Sequence, residues 1–395
     1  MHAMSIIQDF LRDFCPSMHA KRRESLAKVT AAARAGGLGV VKMAKHLPSS
    51  SMRHRIKCCD RLLSNDHLHR ERVMVYQALA HRLLQSRRQV VILVDWSELR
   101  ENGSVHLLRA AAAVEGRAFT IYDEVHPQKL QANPRVHLAF MKTLKAILPA
   151  GCEPVIITDS GFRSTWFKAL DKLGFSWIGR IRNRDMVRAA SDDSWFGCKE
   201  LYPRARADAR KLGEFHYVRS NPTQCQLVIV KKRAAGRQSK NKFGQRSQSQ
   251  RSNKARAVQT EPWLLAVSPR LNTLSAQQVV ALYAARMQIE QTFRDLKNAQ
   301  WGAGLRTSQT RSAQRLAILV LIAVLLTYAL WIIGLTLLRT GYTVRYGSRA
   351  RASSTLSVIS LAHYWLSQSS NPEIVPHELK ISVIELVSKV FTYEN

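Results

Sequence analysis

Acidic residues are scarce in this sequence. Among its 395 residues there are 28 Asp and Glu against 60 Lys and Arg, so the formal net charge is +32 and the pI is about 10.6. This balance excludes the mixed-sign surface of an ordinary globular enzyme and predicts a polyanionic partner. Because the basic residues recur along nearly the whole chain and not in one block beside an apolar segment, nucleic acid is favoured over a membrane surface.

The sequence also lacks C-x-x-C cysteine motifs and a secretion signal. The six cysteines form no C-x-x-C motif and no regular framework, which argues against a zinc site and predicts reduced thiols in the cytosol. They are Cys15, Cys58, Cys59, Cys152, Cys198 and Cys225. The first residues do not show the charged region, apolar core and cleavage site of a secretory signal, so we expect a cytoplasmic protein.

Long apolar runs are limited to one. Residues 316–338, LAILVLIAVLLTYALWIIGLTLL, contain no charged side chain and are long enough to span a bilayer as a helix. A buried central helix of a large α/β domain has the same composition. The lack of a second run and the polar side chains of Thr327, Tyr328 and Thr336 favour the buried helix. A membrane-bound basic protein remains the alternative.

The chain is long enough for two or three domains, and its first part is helical in pattern. Residues 1–88 are strongly basic and contain no long β-branched run, so we expect a helical DNA-binding domain. Within it, residues 37–65 predict a helix, a break at Pro48 with Ser49 to Ser51 as caps, and a second, basic helix. A helix-turn-helix and a plain helical hairpin explain this pattern equally well.

Strand-like runs begin at residue 89. The first run, QVVILVDWSE, is apolar and β-branched and ends in Asp95, and EPVIITDSGF repeats this arrangement with Asp159. Over residues 89–185 the patterns give three strands, a helix, a strand, a helix and a strand. This order predicts an α/β fold in which helices cover a mixed sheet.

The alternation of strands and helices stops at residue 186. Residues 186–270 predict a β-rich insertion, in which Lys231–Arg256 has ten Lys or Arg and no acid, as in a flexible basic loop. The α/β pattern resumes over residues 271–340. Residues 341–395 predict a basic, helical C-terminal region.

One predicted helix carries a polar stripe. In YAARMQIEQTFRDLKN, residues 283–298, four polar residues fall within an arc of about 60° on a helical wheel. They are Tyr283, Arg286, Glu290 and Lys297. The stripe borders the apolar face of the helix, as in the wall of a cleft, although a solvated charged face gives a similar pattern.

Three carboxylates are candidates for catalysis: Asp95, Asp159 and Glu290. Carboxylate oxygens are the hard ligands that Mg²⁺ prefers, and two ions about 4 Å apart can activate an attacking oxygen and stabilise a leaving one. A single strand-end aspartate more often caps a turn. Two of them on similar strands, with a basic stripe around Glu290, predict two-metal phosphoryl transfer.

The spacing Y-x-x-R-x-x-x-E-x-x-x-x-x-x-K resembles the Tyr-Arg-Glu-Lys signature of the bacterial insertion-sequence transposases called the IS-four family. The segments VDWSELR, TDSGFRSTWFKALDKLGFSWIGRIR and RMQIEQTFRDLK are most similar to its transposon-ten branch, and the similarity extends to about residue 340. The resemblance implies a DDE transposase. Its expected fold is an α/β, ribonuclease-H-like core with a mixed sheet, a β-strand insertion before the Glu, and helical flanks.

The resemblance implies roles for the matching residues. Asp95, Asp159 and Glu290 would hold two Mg²⁺ ions, for which Mn²⁺ can substitute. The rest of the signature would contact phosphates at the transposon end, where residues 1–88 would also bind. These phosphate contacts are Tyr283, Arg286 and Lys297, and their charge and hydroxyl chemistry suits that role.

Three further residues are candidate DNA contacts. Some relatives carry Trp after the signature Arg, and Met287 in that place keeps an apolar wedge. Trp263, in TEPWLLAVSP, is either a core residue or the aromatic that stacks on a flipped base, as in the W-L-L stretch of the resembling transposases. Arg182 alternates with Arg180 and Arg184 near a strand end, where DNA contact and a solvated edge are both open.

The predicted activity is cut-and-paste transposition. One strand is nicked at the element's end, the freed 3′-hydroxyl forms a hairpin with the opposite strand, water reopens the hairpin, and the 3′-hydroxyl joins target DNA. The expected partners are double-stranded DNA, at the terminal inverted repeats and the target, and a second copy of the chain in a synaptic homodimer. The hairpin and the dimer rest on the resemblance. The alternative is a catalytically inactive DNA-binding regulator derived from a transposase.

Overall fold

A computed structural model describes residues 2–48, 51–85, 87–182, 185–232, 245–250, 252–253, 261–299, 302–342, 356–368 and 374–393. The contacts divide the chain into two compact units. The first unit comprises Met1–Asn133, Lys142–Cys152 and Met287–Asn395, and the second comprises Pro134–Met141 and Glu153–Arg286. Both units are therefore assembled from segments that are separated in sequence.

The N-terminal part of the first unit is helical, as the sequence predicts. Its helices are α1 His2–Phe14, α2 Ala20–Gly36, α3 Val40–Lys45, α4 Met52–Leu63 and α5 Asp66–Leu84. The predicted cap at the break before α4 is present, since the Ser51 hydroxyl accepts a hydrogen bond from the His54 backbone N–H at 3.3 Å. The predicted pair of helices around Pro48 is therefore confirmed.

Three antiparallel strands form the sheet of the first unit, in the order β3-β2-β1. They are β1 Val91–Glu98, β2 Val105–Ala112 and β3 Phe119–Pro127. Every residue of β2 is buried, as expected for a central strand that is covered on both faces. The prediction that the first strand ends at Asp95 is wrong, because the three residues after Asp95 continue the ladder with β2 up to the pair Glu98 and His106.

A long apolar helix, α10 Ala313–Arg339, lies at the centre of the first unit. It packs against α1, α2, α5 and β3, and against two C-terminal helices, α11 Val358–Ser367 and α12 Pro376–Ser388. Among the described residues it is the one helix long and apolar enough to cross a membrane, but 94% of its most apolar window is buried inside the protein. A helix that is buried inside the protein is a core helix, so the prediction of a buried central helix is confirmed.

The second unit contains a mixed sheet with the strand order β4-β5-β10-β9-β8-β6-β7. Only β4 and β5 pair in parallel, and the other described pairs are antiparallel. The strands are β4 Val155–Thr158, β5 Ser176–Ile181, β6 Met186–Ala189, β7 Phe196–Gly197, β8 Arg210–Tyr217, β9 Thr223–Val230 and β10 Trp263–Val267. The predicted α/β fold with a mixed sheet is confirmed.

Three more helices accompany these strands. In the second unit, α7 Ser164–Lys172 packs on β5 and β9, and α8 Ala276–Ala284 packs on β5, β8 and β9. The chain passes between the units within α6, Pro134–Ile147. Gly179 on β5 has a packing reason, because a Cβ atom there would overlap the ring of Phe167, which stacks on Trp177 at 4.3 Å.

Two predictions concern the organisation of the chain. The division into five segments, with boundaries at 88, 185, 270 and 340, stays a prediction. The basic loop Lys231–Arg256 lies largely outside the described residues. The strands on either side of it, β9 and β10, are where the sequence predicts them, and they pair with each other.

Candidate active site

Asp95 lies in the middle of β1 and is 9% exposed. One of its carboxylate oxygens, Oδ1, accepts a hydrogen bond from the Trp96 backbone N–H at 2.8 Å. The residue directly opposite on β2 is Arg109. Because opposed residues of an antiparallel pair project to the same face of a sheet, Asp95 and Arg109 share one face of the first unit's sheet.

A buried ion pair stands next to Asp95. The Arg109 guanidinium donates two hydrogen bonds of 2.8 Å to Asp123 on β3, from Nε to Oδ1 and from Nη2 to Oδ2. Arg109 and Asp123 are 3% and 1% exposed. Burial raises the pKa of Asp123, and the neighbouring Arg109 charge opposes this shift. The guanidinium also lies 5.3 Å from the ring centroid of Phe293.

Phe293 belongs to α9, Met287–Lys297, the helix that carries Glu290. Helix α9 packs against β1 and β3. Residues three apart are neighbours on a helix surface, so Glu290 lies one turn before Phe293, on the side of α9 that faces the sheet. Arg109 therefore connects the strand beside Asp95 to the helix that bears Glu290.

Other contacts also hold α9 on the sheet. The Lys297 ammonium donates to the Ser97 hydroxyl on β1 at 2.7 Å, and Arg117 forms an ion pair with Asp295. Burial, followed by the nearby Arg306 charge, lowers the pKa of Lys297, while Glu98 and then Glu290 act in the opposite direction. Glu290 and Lys297 are thus brought into electrostatic range of each other beside the strand of Asp95.

The single helix predicted over residues 283–298 is wrong, because it is two helices. The chain tightens at the junction, where Ala285 N–H bonds to Leu282 O at 3.1 Å and Arg286 N–H bonds to Tyr283 O at 3.0 Å. These i to i−3 bonds replace the α-helical pattern. Tyr283 and Arg286 consequently belong to the second unit, whereas Glu290 and Lys297 belong to the first.

Asp159 directly follows β4 in the second unit and is half-buried. Its Oδ1 accepts a hydrogen bond from the Gly161 backbone N–H at 2.8 Å. This is the turn-capping contact that any strand-end aspartate can make, and it fixes the orientation of the carboxylate. Asp159 is at the strand end that the sequence predicts.

Trp263 and Tyr283 meet in the second unit. Their rings are edge to face with centroids 5.0 Å apart, and the ammonium of Lys232 lies 4.5 Å from the centroid of the Trp263 ring. Tyr283 is 3% exposed, whereas Trp263 is only half-buried at the start of β10. Trp263 thus has a partly accessible ring beside a cation.

Arg182 is engaged with a carboxylate. It pairs with Glu261 at 2.8 Å, Arg180 approaches the same oxygen at 3.5 Å, and the Tyr202 hydroxyl donates to the other oxygen of Glu261 at 2.7 Å. Arg184, the third residue of the predicted basic row, lies outside the described residues. Met287, at the start of α9, has a side chain that is 44% exposed.

Carboxylate oxygens are the hard donors that a divalent cation such as Mg²⁺ prefers. In the part of the chain that the structure describes, no group of three or more His, Cys, Asp or Glu side chains is placed to hold one ion. Mg²⁺ commonly takes only one or two protein carboxylates and completes its shell with water and substrate phosphate. The carboxylates of Asp95 and Glu290 in the first unit, and that of Asp159 in the second, are donors of the kind that Mg²⁺ takes in this way.

Sequence reasoning missed the buried pair of Arg109 and Asp123. A signal was present, because VHLLRAAAAV has one arginine and FTIYDEV has an aspartate near its centre, in two largely apolar strands that a short turn connects. Opposite charges in neighbouring buried strands are expected to pair. The pair gives the site an internal support that the Tyr-Arg-Glu-Lys spacing does not reveal.

Comparison with known proteins gives an independent result. Residues 86–327, more than half of the chain, match the family described as the transposase DDE domain. A search of curated proteins gives no match. The matched interval contains β1 with Asp95, the turn with Asp159 and α9 with Glu290. The chain therefore belongs to the family of transposases with a DDE domain.

Proposed function

We propose that this chain is a cut-and-paste DNA transposase of the IS-four family, closest to the transposon-ten type. The observation that carries the proposal is the packing of α9 on β1. This packing sets Glu290 and Lys297 beside the strand of Asp95, within the interval that matches the transposase family. A carboxylate pair next to a lysine is suited to a phosphodiester that reacts while it is bound.

Asp95, Asp159 and Glu290 would hold two Mg²⁺ ions, with Mn²⁺ able to substitute. When bound, the ions would activate an attacking oxygen and stabilise the leaving oxygen of the phosphodiester. The contribution of the protein would be to orient these carboxylates. Backbone N–H groups fix the carboxylates of Asp95 and Asp159, and the contacts of α9 fix the backbone of Glu290.

The remaining candidates would bind DNA. Arg286 and Lys297 would contact backbone phosphates, and the Tyr283 hydroxyl would add a hydrogen bond. Met287 is exposed at the start of α9 and could enter between bases as an apolar wedge. For Arg182 to contact a phosphate, the phosphate has to replace or join Glu261 as its partner.

Trp263 would receive a base that is flipped out of the duplex during hairpin formation. Its half-buried ring and its position beside Tyr283 support this role. Lys232 occupies one face of the ring, so a stacking base would either take the other face or displace this ammonium. The cation would remain close to the phosphate of the flipped nucleotide.

The proposed reaction has four steps on one strand end. Water cleaves a phosphodiester at the element's end and leaves a 3′-hydroxyl, which attacks the opposite strand and releases the flanking DNA with a hairpin on the element. Water opens the hairpin, and the regenerated 3′-hydroxyl attacks a target phosphodiester. Two element ends have to be joined together, so we propose a homodimer in the synaptic complex, acting in the bacterial cytoplasm at the nucleoid.

A nicking assay tests the proposal. The substrate is duplex DNA from the two borders of the element, found by searching the DNA around the gene for short inverted repeats. Wild-type chain with Mg²⁺ should nick this DNA, and Asp95→Ala, Asp159→Ala and Glu290→Ala should each abolish nicking while leaving binding largely intact. Asp208→Ala, which removes an exposed aspartate outside the site, is the matched control and should cleave normally.

Two outcomes would overturn the assignment. Normal cleavage by Glu290→Ala would remove this residue from the site. Binding of element ends by the wild-type chain with no cleavage under any divalent cation would favour the catalytically inactive regulator. In that case the three alanine variants should also match the wild type in every DNA-binding measurement.

A further inference from the structure

A basic concavity of about 400 Å³ lies in the first unit. Its wall is formed by the end of α2, by α3, by the segment that follows α9 and by α11. The side chains that matter for its chemistry are Arg34, Lys42, Lys45, His46, Thr307 and His363. No carboxylate is among the described residues that line it.

The cations of this concavity lack the partners that other basic residues of the unit have. Arg22 pairs with Glu71, Lys28 with Glu24 and Lys389 with Glu115. Within the described residues, the side chains of Arg34, Lys42 and Lys45 make no hydrogen bond and no ion pair. Three unpaired like charges around one depression repel one another, and a bound anion would relieve that repulsion.

Burial distinguishes Arg34 from an ordinary surface cation. The guanidinium is partly buried, and burial lowers its pKa. Burial, with a smaller contribution from the Arg34 charge, also lowers the pKa of His363 to about 4. At neutral pH the concavity therefore offers a desolvated guanidinium and a neutral imidazole, which can both donate hydrogen bonds to a phosphate oxygen.

Backbone hydrogen bonds connect this concavity to helix α9. The Leu38 N–H at the end of the α2–α3 turn donates to Ala303 O at 3.0 Å, and the Ala303 N–H donates to Asp295 O on α9 at 2.7 Å. Gly37 has a φ of 68°, and a Cβ atom there would lie 3.2 Å from Ala303 O. The turn between the two helices that carry these cations thus contacts the segment that follows the helix of Glu290.

We propose that this concavity binds a backbone phosphate of duplex DNA, and that the bound phosphate steadies the segment behind α9. The proposal rests on the proposed function and deepens it, because DNA binding at the N-terminal helices would then support the helix that carries Glu290. A polymer is favoured over a free anion by a second basic concavity between α2 and α4, lined by Lys21, Lys57 and Arg61. Two depressions with cationic walls suit successive phosphates of one strand.

The first test is the salt dependence of DNA binding, measured without divalent cations so that cleavage plays no part. Arg34→Gln and Lys42→Gln should each raise the Kd for element-end duplex about fivefold. Each should also reduce the slope of log K against log salt by about 0.9, the share of one phosphate. Lys380→Gln removes the same charge from an exposed position on α12 and should change neither quantity.

The second test measures whether DNA binding stabilises the hydrogen bonds that connect the concavity to α9. Amide hydrogen exchange at Leu38 and Ala303 should slow when duplex DNA binds the wild-type chain. The slowing should be lost in Arg34→Gln at DNA concentrations that saturate the variant. Loss of protection in the exposed-site variant Lys42→Gln would support the same conclusion if Arg34→Gln proves poorly folded.

Three results would overturn the proposal. One is a wild-type Kd and salt slope in both Arg34→Gln and Lys42→Gln. Another is binding of inorganic pyrophosphate that depends on Arg34 while DNA binding does not, which would assign the concavity to a free anion. The third is slower exchange at Ala303 in all variants alike. Because no readout requires cleavage, a failure of the nicking assay would leave this site standing, and the reverse also holds.

Discussion

Removing one partner of the buried pair between Arg109 and Asp123 should strongly destabilise the first unit. Asp123→Asn keeps the shape of the side chain but leaves the Arg109 guanidinium buried without a counter-charge. Breaking a buried pair in this way costs about 3–5 kcal/mol. A typical domain has a free energy of unfolding of only about 5–15 kcal/mol, so the variant should be close to the limit of stability.

Replacing both partners should cost much less. Arg109→Met combined with Asp123→Leu removes both charges and fills the space with apolar atoms, so its loss of stability should be below that of either single variant. What the double variant cannot restore is the contact of the guanidinium with Phe293, worth about 1–2 kcal/mol when desolvated. It should therefore fold and bind DNA but nick more slowly, because α9 is less firmly held.

Urea unfolding of the wild type, both single variants and the double variant gives the coupling energy. Glu24→Gln is the matched control, since Glu24 forms an exposed pair with Lys28 and its loss should change the free energy of unfolding far less than Asp123→Asn does. The buried pair has no special role in stability if Asp123→Asn is no more destabilising than Glu24→Gln, or if the effects of the single variants simply add in the double variant.

Three other predictions follow from the described contacts. Trp263→Ala should leave the first nick near the wild-type rate and selectively depress hairpin formation, since base stacking is worth about 1–3 kcal/mol; equal slowing of both steps would mark Trp263 as a core residue. Lys297→Ala should weaken binding to element ends and reduce the slope of log K against log salt by about one phosphate's share. Unchanged binding would mean that Lys297 only holds α9 on β1 through its hydrogen bond to Ser97. His363 has a pKa of about 4 in the folded protein, below the ordinary 6.5. Its buried neutral ring therefore contributes to the stability of the protein above pH 6.5, and this contribution is lost as the pH falls toward 4. Its share of the loss between pH 7 and 5 is up to about 2 kcal/mol, and His363→Gln should remove it in urea unfolding curves at the two pH values.

The order of strands and helices could be predicted because each element is encoded by a local pattern. Continuous apolar runs rich in β-branched residues gave β1 and β4, and the break at Pro48 with the Ser51 cap gave the helices on either side. The charge-free run 316–338 identified a helix, but its environment depended on what surrounds it. In the structure, helices and a strand of the first unit cover it on all sides.

The errors arose where tertiary contacts override local preference. Ala285 and Arg286 are good helix formers, so nothing in their sequence indicates that the hydrogen bonds tighten there and divide the polar stripe. Likewise, the apolar run of β1 stops at Asp95, but pairing with β2 extends the strand. The helical wheel predicted a common face for four residues, and the junction gives two of them to each unit.

Four described acids of this strongly basic chain differ in their hydrogen-bond partners, which composition does not reveal. Asp123 and Glu261 are each paired with arginine, which neutralises the carboxylate and occupies its oxygens. Asp95 and Asp159 accept hydrogen bonds from backbone N–H groups one and two residues further along the chain. A backbone N–H orients a carboxylate, and an oriented oxygen is what a divalent cation needs. The oxygens of Asp123 and Glu261 are already occupied by arginine, which is a structural reason to leave these two acids out of the proposed metal ligands.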